Sequence, residues 1–134
     1  MTRVGFLYPG HSAQDDYQAF AEMIGGGVEL PVVHTLMRED AHRVDALLDV
    51  GGPDVLAEGA DRLAEMGVDA AVWACTSGSF VFGWDGARDQ VAGVRAHARA
   101  PASSTSFAFV HALRQLRVQD AVSYTHLRAH ETDS

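Results

Sequence analysis

The segment that decides the fold is Asp69–Gly78, with the sequence DAAVWACTSG. It begins with a nearly continuous apolar run, which is typical of a central strand in a parallel sheet that is covered on both faces. The residues after the run are small and end in glycine, so they predict a loop at the carboxyl end of that strand. In parallel α/β sheets this edge is where ligands bind. The segment therefore predicts an α/β fold and the place of a binding site.

Two further segments have the pattern of strands. Val4–Tyr8 is apolar and ends at Pro9–Gly10, which predicts a buried strand followed by a turn. Val28–His34 is the other candidate. Because Pro31 lacks the N–H that a strand ladder needs, we expect this strand at an edge of the sheet.

The segments between the strands have helical periodicity. Alternation of strands and helices indicates a Rossmann-like parallel sheet flanked by helices, which places the chain in the α/β class. The residues Phe6, Phe20 and Trp73 are predicted to lie in the core. Helices are predicted, in chain order, from Ser12 to Ile24, over 38–50, from Pro53 to Gly67 with Leu56, Ala60 and Leu63 facing inward, from Asp85 to Ala98, and over Phe107–Leu116.

Composition excludes several classes of protein. The chain has 134 residues, enough for one domain with its own core, and a formal net charge of −8. No basic stripe is visible, so nucleic acid is not an expected partner, and no apolar run approaches the roughly 20 residues that span a membrane. The lack of lysine excludes a Schiff-base or P-loop lysine in this chain. A single cysteine and no recognisable signal peptide favour a cytoplasmic location.

Cys75 is the strongest candidate for chemistry. It leaves the predicted strand just before the turn Thr76–Gly78, whose backbone N–H groups and hydroxyls can hold an anion. The same N–H groups are expected to lower the pKa of the thiol and to activate it as a nucleophile or proton acceptor. The alternative is an inert structural cysteine. His11 is either an acid–base group of this pocket or a solvent-facing residue, and the other histidines are too scattered to predict a metal site.

The string Ala74–Val81, ACTSGSFV, resembles the first cysteine motif of the aspartate/glutamate racemase superfamily. The similarity is to the branch with maleate isomerase, arylmalonate decarboxylase and ectoine-utilisation proteins. Val4–Asp16 is similar to the first strand and substrate loop of that family, and Pro101–Leu116 to the helix that follows its first half. The resemblance implies two similar α/β lobes with the substrate between them, residues 1–121 being the N-terminal lobe.

The resemblance also implies an activity. It points to a cofactor-independent isomerase or racemase of a small carboxylic acid, with no metal, flavin or nicotinamide and with Cys75 as the catalytic nucleophile or base. Decarboxylases of the branch lack this cysteine, which argues against decarboxylation. The implied substrate-binding residues are Pro9, Gly10, Ser12, Thr76, Ser77 and Gly78.

The length of the chain determines what activity we expect of it in isolation. Family members are about twice as long, so we expect a truncated fragment with weak or no turnover that can self-associate through the exposed lobe interface. Two other interpretations stay open. One is a non-catalytic module that binds a small carboxylate at the same loop, and the other is a structural remnant without a ligand.

Residues 122–134 differ from the rest of the chain. Val122–Thr132, VSYTHLRAHET, has neither a helical nor a strand period. It resembles a translated sequencing adapter, so we predict a non-native tail that is disordered or loosely packed. The alternative is a native polar tail. His126 and His130 are spaced like a metal-binding pair, but on the first interpretation this spacing has no meaning.

Overall fold

The computed structural model describes residues 1–11 and 14–117. The predictions made for Ser12 and for residues 122–134 fall outside the described residues. The strands are β1 (Thr2–Pro9), β2 (Val28–Glu29), β3 (Val32–Thr35), β4 (Ala70–Trp73) and β5 (Ala102–Ser104). The helices are α1 (Gln14–Met23), α2 (Val44–Val50), α3 (Pro53–Glu65), α4 (Thr76–Phe80), α5 (Gly83–Ala98) and α6 (Thr105–Leu116).

The strands form one parallel sheet. β1 pairs with β4 on one side and with both β2 and β3 on the other, and β5 pairs with the far side of β4. β2 and β3 are two pieces of one edge strand that is interrupted at Pro31. The carbonyl of Pro31 still accepts the N–H of Phe6 at 2.8 Å. The α/β class and the edge position predicted for this segment are therefore confirmed.

One face of the sheet is fully buried beneath α3 and α5. Leu7, Val33 and Trp73 point to this side and are at most 1% exposed. They belong to the same core cluster as the inward-facing residues predicted on α3, which are all buried: Leu56, Ala60 and Leu63.

The opposite face of the sheet is only partly covered. Burial alternates along β4, where Ala71 and Trp73 are buried while Ala70 and Val72 are partly exposed. The prediction of a strand buried on both faces was therefore wrong. Helix α1 packs on this side, with the rings of Phe6 and Tyr17 4.7 Å apart.

The predicted core includes two side chains that are not fully buried. Phe6 is only partly buried on the sparsely covered face, and Phe20 on α1 is 50% exposed. Phe20 is thus not a core residue, because the apolar stripe of α1 extends beyond the part of the sheet that the helix covers.

Two predicted helix starts are wrong. Residues 38–43 are not helical, and α2 begins only at Val44. This polar segment has no large apolar side chain with which a first helical turn could pack. Asp85 does not cap α5, because that helix already begins at Gly83 and Asp85 lies within its first turn.

The turn and cap-rich segments contain structure that the sequence did not predict. Thr76–Phe80 is a short helix rather than a loop, and Ala102–Ser104 is a strand. The small residues of β5 have little strand propensity, and pairing with β4 holds them extended. Ser104 then caps α6, accepting the N–H of Phe107 at 3.3 Å. In the part of the chain described, no helix is both long and apolar enough to cross a membrane.

Candidate functional site

The carboxyl ends of three strands meet at one edge of the sheet. Leu7 pairs with Trp73 and Pro9 with Thr35, so β1, β3 and β4 end at similar heights. The chain leaves β1 and β4 on opposite sides of a cleft of about 540 Å³, which is where a parallel sheet is expected to bind ligands. Its lining residues are Tyr8, Pro9, His11, Met37, Glu39, Asp40, Ala41, His42, Leu47, Val50, Ala74, Cys75, Thr76 and Ser77.

Cys75 lies at the junction of β4 and α4. It is partly buried, packs against the hydrophobic core and caps α4, with its Sγ accepting the N–H of Gly78 at 3.3 Å. The side chain of Ser77 also hydrogen-bonds the sulfur. The backbone N–H groups of Thr76 and Ser77 lie in the first turn of α4, where a helix offers no carbonyl partner. The thiol and these polar groups thus share one wall of the cleft.

Burial raises the pKa of the Cys75 thiol above its ordinary value. The hydrogen bonds from Gly78 and Ser77 act in the opposite direction, because they favour the thiolate, but they are outweighed. The expected lowering of this pKa was therefore wrong. The sequence indicated the N–H donors but not how deeply the sulfur sits against the core.

Gly78 has a different role from the one expected of it. Its N–H points at the sulfur rather than into the cleft, so it acts on the thiol and not directly on a ligand. A Cβ on Gly78 would lie 2.9 Å from Cys75 Sγ and 3.0 Å from Trp73 Cζ2. The close approach of the sulfur therefore requires glycine at this position.

Two hydroxyl bonds hold α4 from its buried side. Ser79 donates to the carbonyl of Thr76 at 3.2 Å, and Ser106 on α6 donates to the Ser79 hydroxyl at 2.9 Å. Both serines are buried. This wall of the cleft is thus anchored to a neighbouring helix.

The loop after β1 forms the opposite wall. Gly10 has a φ of +71°, and a Cβ there would lie 2.7 Å from Met37 Cε. His34 Nδ1–H donates to the carbonyl of Gly10 at 2.5 Å, and the His34 ring stacks on His11 with centroids 4.3 Å apart. His11 lines the cleft and is also exposed, so both interpretations of this residue stay open.

A third wall comes from residues 37–42, which the sequence did not indicate because a helix was predicted there. Glu39, Asp40 and His42 line the cleft. The neighbouring arginines are paired with carboxylates. Arg38 pairs with Asp49 at 2.5 Å, and Arg43 pairs with Glu39 and Asp45.

Tyr17 was predicted only as part of the apolar stripe of α1, yet it lies near the site. Burial raises the pKa of its phenol, and the charges of Tyr8, Asp16 and Cys75 raise it further. The phenol of Tyr17 therefore ionises less readily than a free tyrosine. Among the residues described, no three His, Cys, Asp or Glu side chains converge as metal ligands would.

Fold and site together define an α/β lobe with a cysteine-bearing cleft at the carboxyl edge of its sheet. Neither a family model nor a curated protein sequence matches the chain. Solved structures do. Arylmalonate decarboxylase is 18% identical with a TM-score of 0.62, over 84% of this chain and 45% of that one. A maleate isomerase from Pseudomonas putida, solved with maleate, is 18% identical with a TM-score of 0.68, over 84% and 48%.

A third similar structure is a maleate cis-trans isomerase from Nocardia farcinica. It is a cysteine-to-serine mutant with a covalently bound succinylcysteine intermediate, 17% identical with a TM-score of 0.62, over 87% of this chain and 49% of that one. The chain thus spans just under half the length of each of these enzymes. The fold that the resemblance implied is confirmed: the described residues have the fold of one half of an arylmalonate decarboxylase or maleate isomerase.

Proposed function

We propose that residues 1–121 are the N-terminal lobe of a cofactor-independent isomerase or racemase that acts on a small carboxylic acid. The observation that carries the proposal is the position of Cys75, at the carboxyl end of β4 and in the wall of the cleft. The similar folds of two maleate isomerases support the same chemistry. The succinylcysteine of the Nocardia farcinica enzyme is the adduct that a thiol gives with a four-carbon unsaturated diacid.

In the proposed reaction the thiolate of Cys75 adds to one carbon of an activated double bond. A C–S bond forms, the π electrons move to the neighbouring carbon, and the former double bond can rotate. Expulsion of the thiolate then restores the double bond in the other geometry. For a racemase substrate, the same thiolate would instead remove the proton beside the carboxylate. An acid on the opposite face, supplied by a second lobe or a second copy, would return a proton to that carbon.

The polar groups of both walls have roles in this proposal. Thr76 binds the substrate carboxylate through its N–H and hydroxyl groups, and Ser77 binds it through its N–H, because the Ser77 side chain hydrogen-bonds the sulfur. Gly78 acts through the sulfur. The other wall contributes two more predicted substrate-binding residues, Pro9 and Gly10. Ser12 stays a predicted substrate-binding residue on the sequence alone, because it lies outside the described residues.

The raised pKa of Cys75 bears on the activity of this lobe by itself. At neutral pH the group is mainly a thiol, and within the described residues no base hydrogen-bonds it. Losing a positioned general base costs about 10²–10⁴-fold in rate. We therefore expect very slow turnover unless a second lobe or a second copy supplies the missing group.

A second copy is the partner we propose, because α1 and the residue that follows it carry exposed apolar side chains. Phe20 is 50% exposed, Met23 82% and Ile24 51%. Burying such a surface favours association. Sedimentation velocity of the wild type and of Phe20→Glu tests this part of the proposal, which fails if both sediment as the same monomer at high concentration.

A non-catalytic module that binds a small carboxylate is the second candidate. The observation that favours it is again the raised pKa of Cys75, because a protonated thiol is a poor nucleophile.

The experiment that separates the two candidates is alkylation of Cys75 by iodoacetamide, with and without small mono- and dicarboxylic acids. A thiol that reacts and is protected by an acid supports the enzyme. An unreactive thiol in a protein that still binds the acid supports the module, and no binding of any acid contradicts both. Thr76→Val should weaken protection, whereas Thr2→Val, an exposed threonine at the start of β1, is the matched control that should not.

A further inference from the structure

A side chain outside the cleft ties the Cys75 segment to the rest of the fold. Gln90 lies on the inner face of α5 and is 7% exposed. Its Nε2 donates to the carbonyl of Gly78 at 2.9 Å and to the carbonyl of Gly51 at 3.1 Å. Since two acceptors face this end of the amide, the NH₂ group must lie there. Gln90 thus connects α4 to the turn between α2 and α3.

The two glycines approach each other closely at this point. A Cβ on Gly51 would lie 2.4 Å from the Gly78 carbonyl oxygen and 2.6 Å from Gln90 Nε2. The φ of Gly51 is −98°, which other residues adopt without strain, so only the contact requires glycine. We call Gly51, Gly78 and Gln90 the glutamine clamp.

The clamp acts on the residue that touches the thiol. Gly78 accepts the bond from Gln90 through its carbonyl and donates to Cys75 Sγ through its N–H. We propose that Gln90 is a positioning residue for Cys75, because its amide fixes Gly78 at the distance where the Gly78 N–H meets the sulfur. The inference rests on the proposed function in one respect only: the proposed function is what gives Cys75 a reactive role.

The hydrogen bonding of Gln90 indicates that packing alone does not explain it. Its Oε1 is buried and has no hydrogen-bond partner. An unpaired buried acceptor lowers stability, and an apolar side chain of the same length would avoid that cost. What such a side chain would lose is the pair of bonds to Gly51 and Gly78.

The test compares the pH dependence of Cys75 alkylation in two variants of the full chain. Gln90→Met keeps the length of the side chain but removes its donor. The Gly78 N–H then loses its fixed place, and the alkylation midpoint should rise by about one pH unit, with about a tenfold slower reaction below the midpoint. Ser106→Ala is the matched control, because it also removes a buried bond to α4 but touches neither Gly78 nor Cys75.

The midpoint should therefore move in Gln90→Met and stay at the wild-type value in Ser106→Ala. Equal midpoints in all three proteins overturn the inference, and so does an equal rise in both variants, which would show a general loosening of α4. Neither variant changes the titratable side chains that line the cleft or interact electrostatically with the sulfur: Tyr8, His11, Tyr17, Glu39, Asp40 and His42.

Two further measurements apply if Gln90→Met does not fold. Gly51→Ala pushes on the Gly78 carbonyl and should raise the midpoint in the same way. In the wild type, the side-chain amide resonance of Gln90 should shift when Cys75 ionises. An unshifted resonance contradicts coupling through Gly78.

The proposed function and this inference fail in different ways. None of these titrations contains a carboxylic acid. If the alkylation midpoint rises in Gln90→Met but no carboxylic acid protects Cys75 from alkylation, the proposed function alone is refuted. If the midpoint stays at the wild-type value in Gln90→Met and a carboxylic acid does protect Cys75, the positioning role of Gln90 alone is refuted.

Discussion

Replacing Gly78 by alanine is predicted to destabilise the lobe and to disturb Cys75. The added Cβ would lie 2.9 Å from Cys75 Sγ, 3.0 Å from Trp73 Cζ2 and 3.4 Å from Val50 Cγ1. Trp73 is fully buried and has no room to move aside, so the strain falls on α4 and on the sulfur. Overpacking of this kind costs about 1–3 kcal/mol.

Gly93→Ala is the matched control on α5. A Cβ there has no neighbour within 4 Å, so the change should stabilise the helix by about 0.5–1 kcal/mol through propensity alone. Urea unfolding of both variants measures the difference, which we expect to be about 1.5–4 kcal/mol. Alkylation of Cys75 should change in Gly78→Ala only. Two variants with the same unfolding free energy and the same thiol reactivity would refute the close packing described for this wall.

The remaining predictions concern the thiol, the core, a helix cap and the tail. The pH midpoint of Cys75 alkylation should lie above the ordinary thiol pKa of about 8.5, and a midpoint at or below 8.5 contradicts the raised pKa. Because the folded protein favours the neutral thiol, its contribution to the free energy of unfolding should be intact below about pH 8.5 and should be lost as the pH rises through the folded pKa. Leu63→Ala, fully buried, should cost about 2–5 kcal/mol in urea unfolding, against less than about 0.5 kcal/mol for Leu116→Ala at 71% exposure, and similar losses would contradict the assigned core. Ser104→Ala removes the cap of α6 and should lower the free energy of unfolding by about 1 kcal/mol. An unchanged melting temperature would contradict this role of Ser104. Deleting residues 122–134 should change stability by less than about 0.5 kcal/mol, unless the tail packs on the lobe.

The parts of the fold that the sequence predicted well depend on local signals. The apolar run of β4 and the small residues after it are adjacent in the chain, so both the strand and the Cys75 corner could be recognised. Pro31 placed its strand at an edge because the missing N–H is a property of one residue.

The parts that it missed depend on partners distant in the chain. β5 is extended because β4 pairs with it, and residues 37–42 form a cleft wall because they cannot pack as a helix. The direction of the Cys75 pKa shift depends on how deeply the sulfur is buried, which no local pattern encodes. Gln90 did leave a signal: it is a polar residue within the buried stripe of Ala87, Val91 and Val94.

We propose that the cleft beside Cys75 binds a small carboxylic acid, and an NMR titration is the sharpest test of that binding. Maleate and a panel of small monocarboxylic acids would be added to the ¹⁵N-labelled protein, with the corresponding neutral amides as controls. We expect saturable shifts of the Thr76 and Ser77 amide resonances with at least one acid and none with its amide. Shifts that are absent from these two residues, or that the neutral amides reproduce, would contradict it.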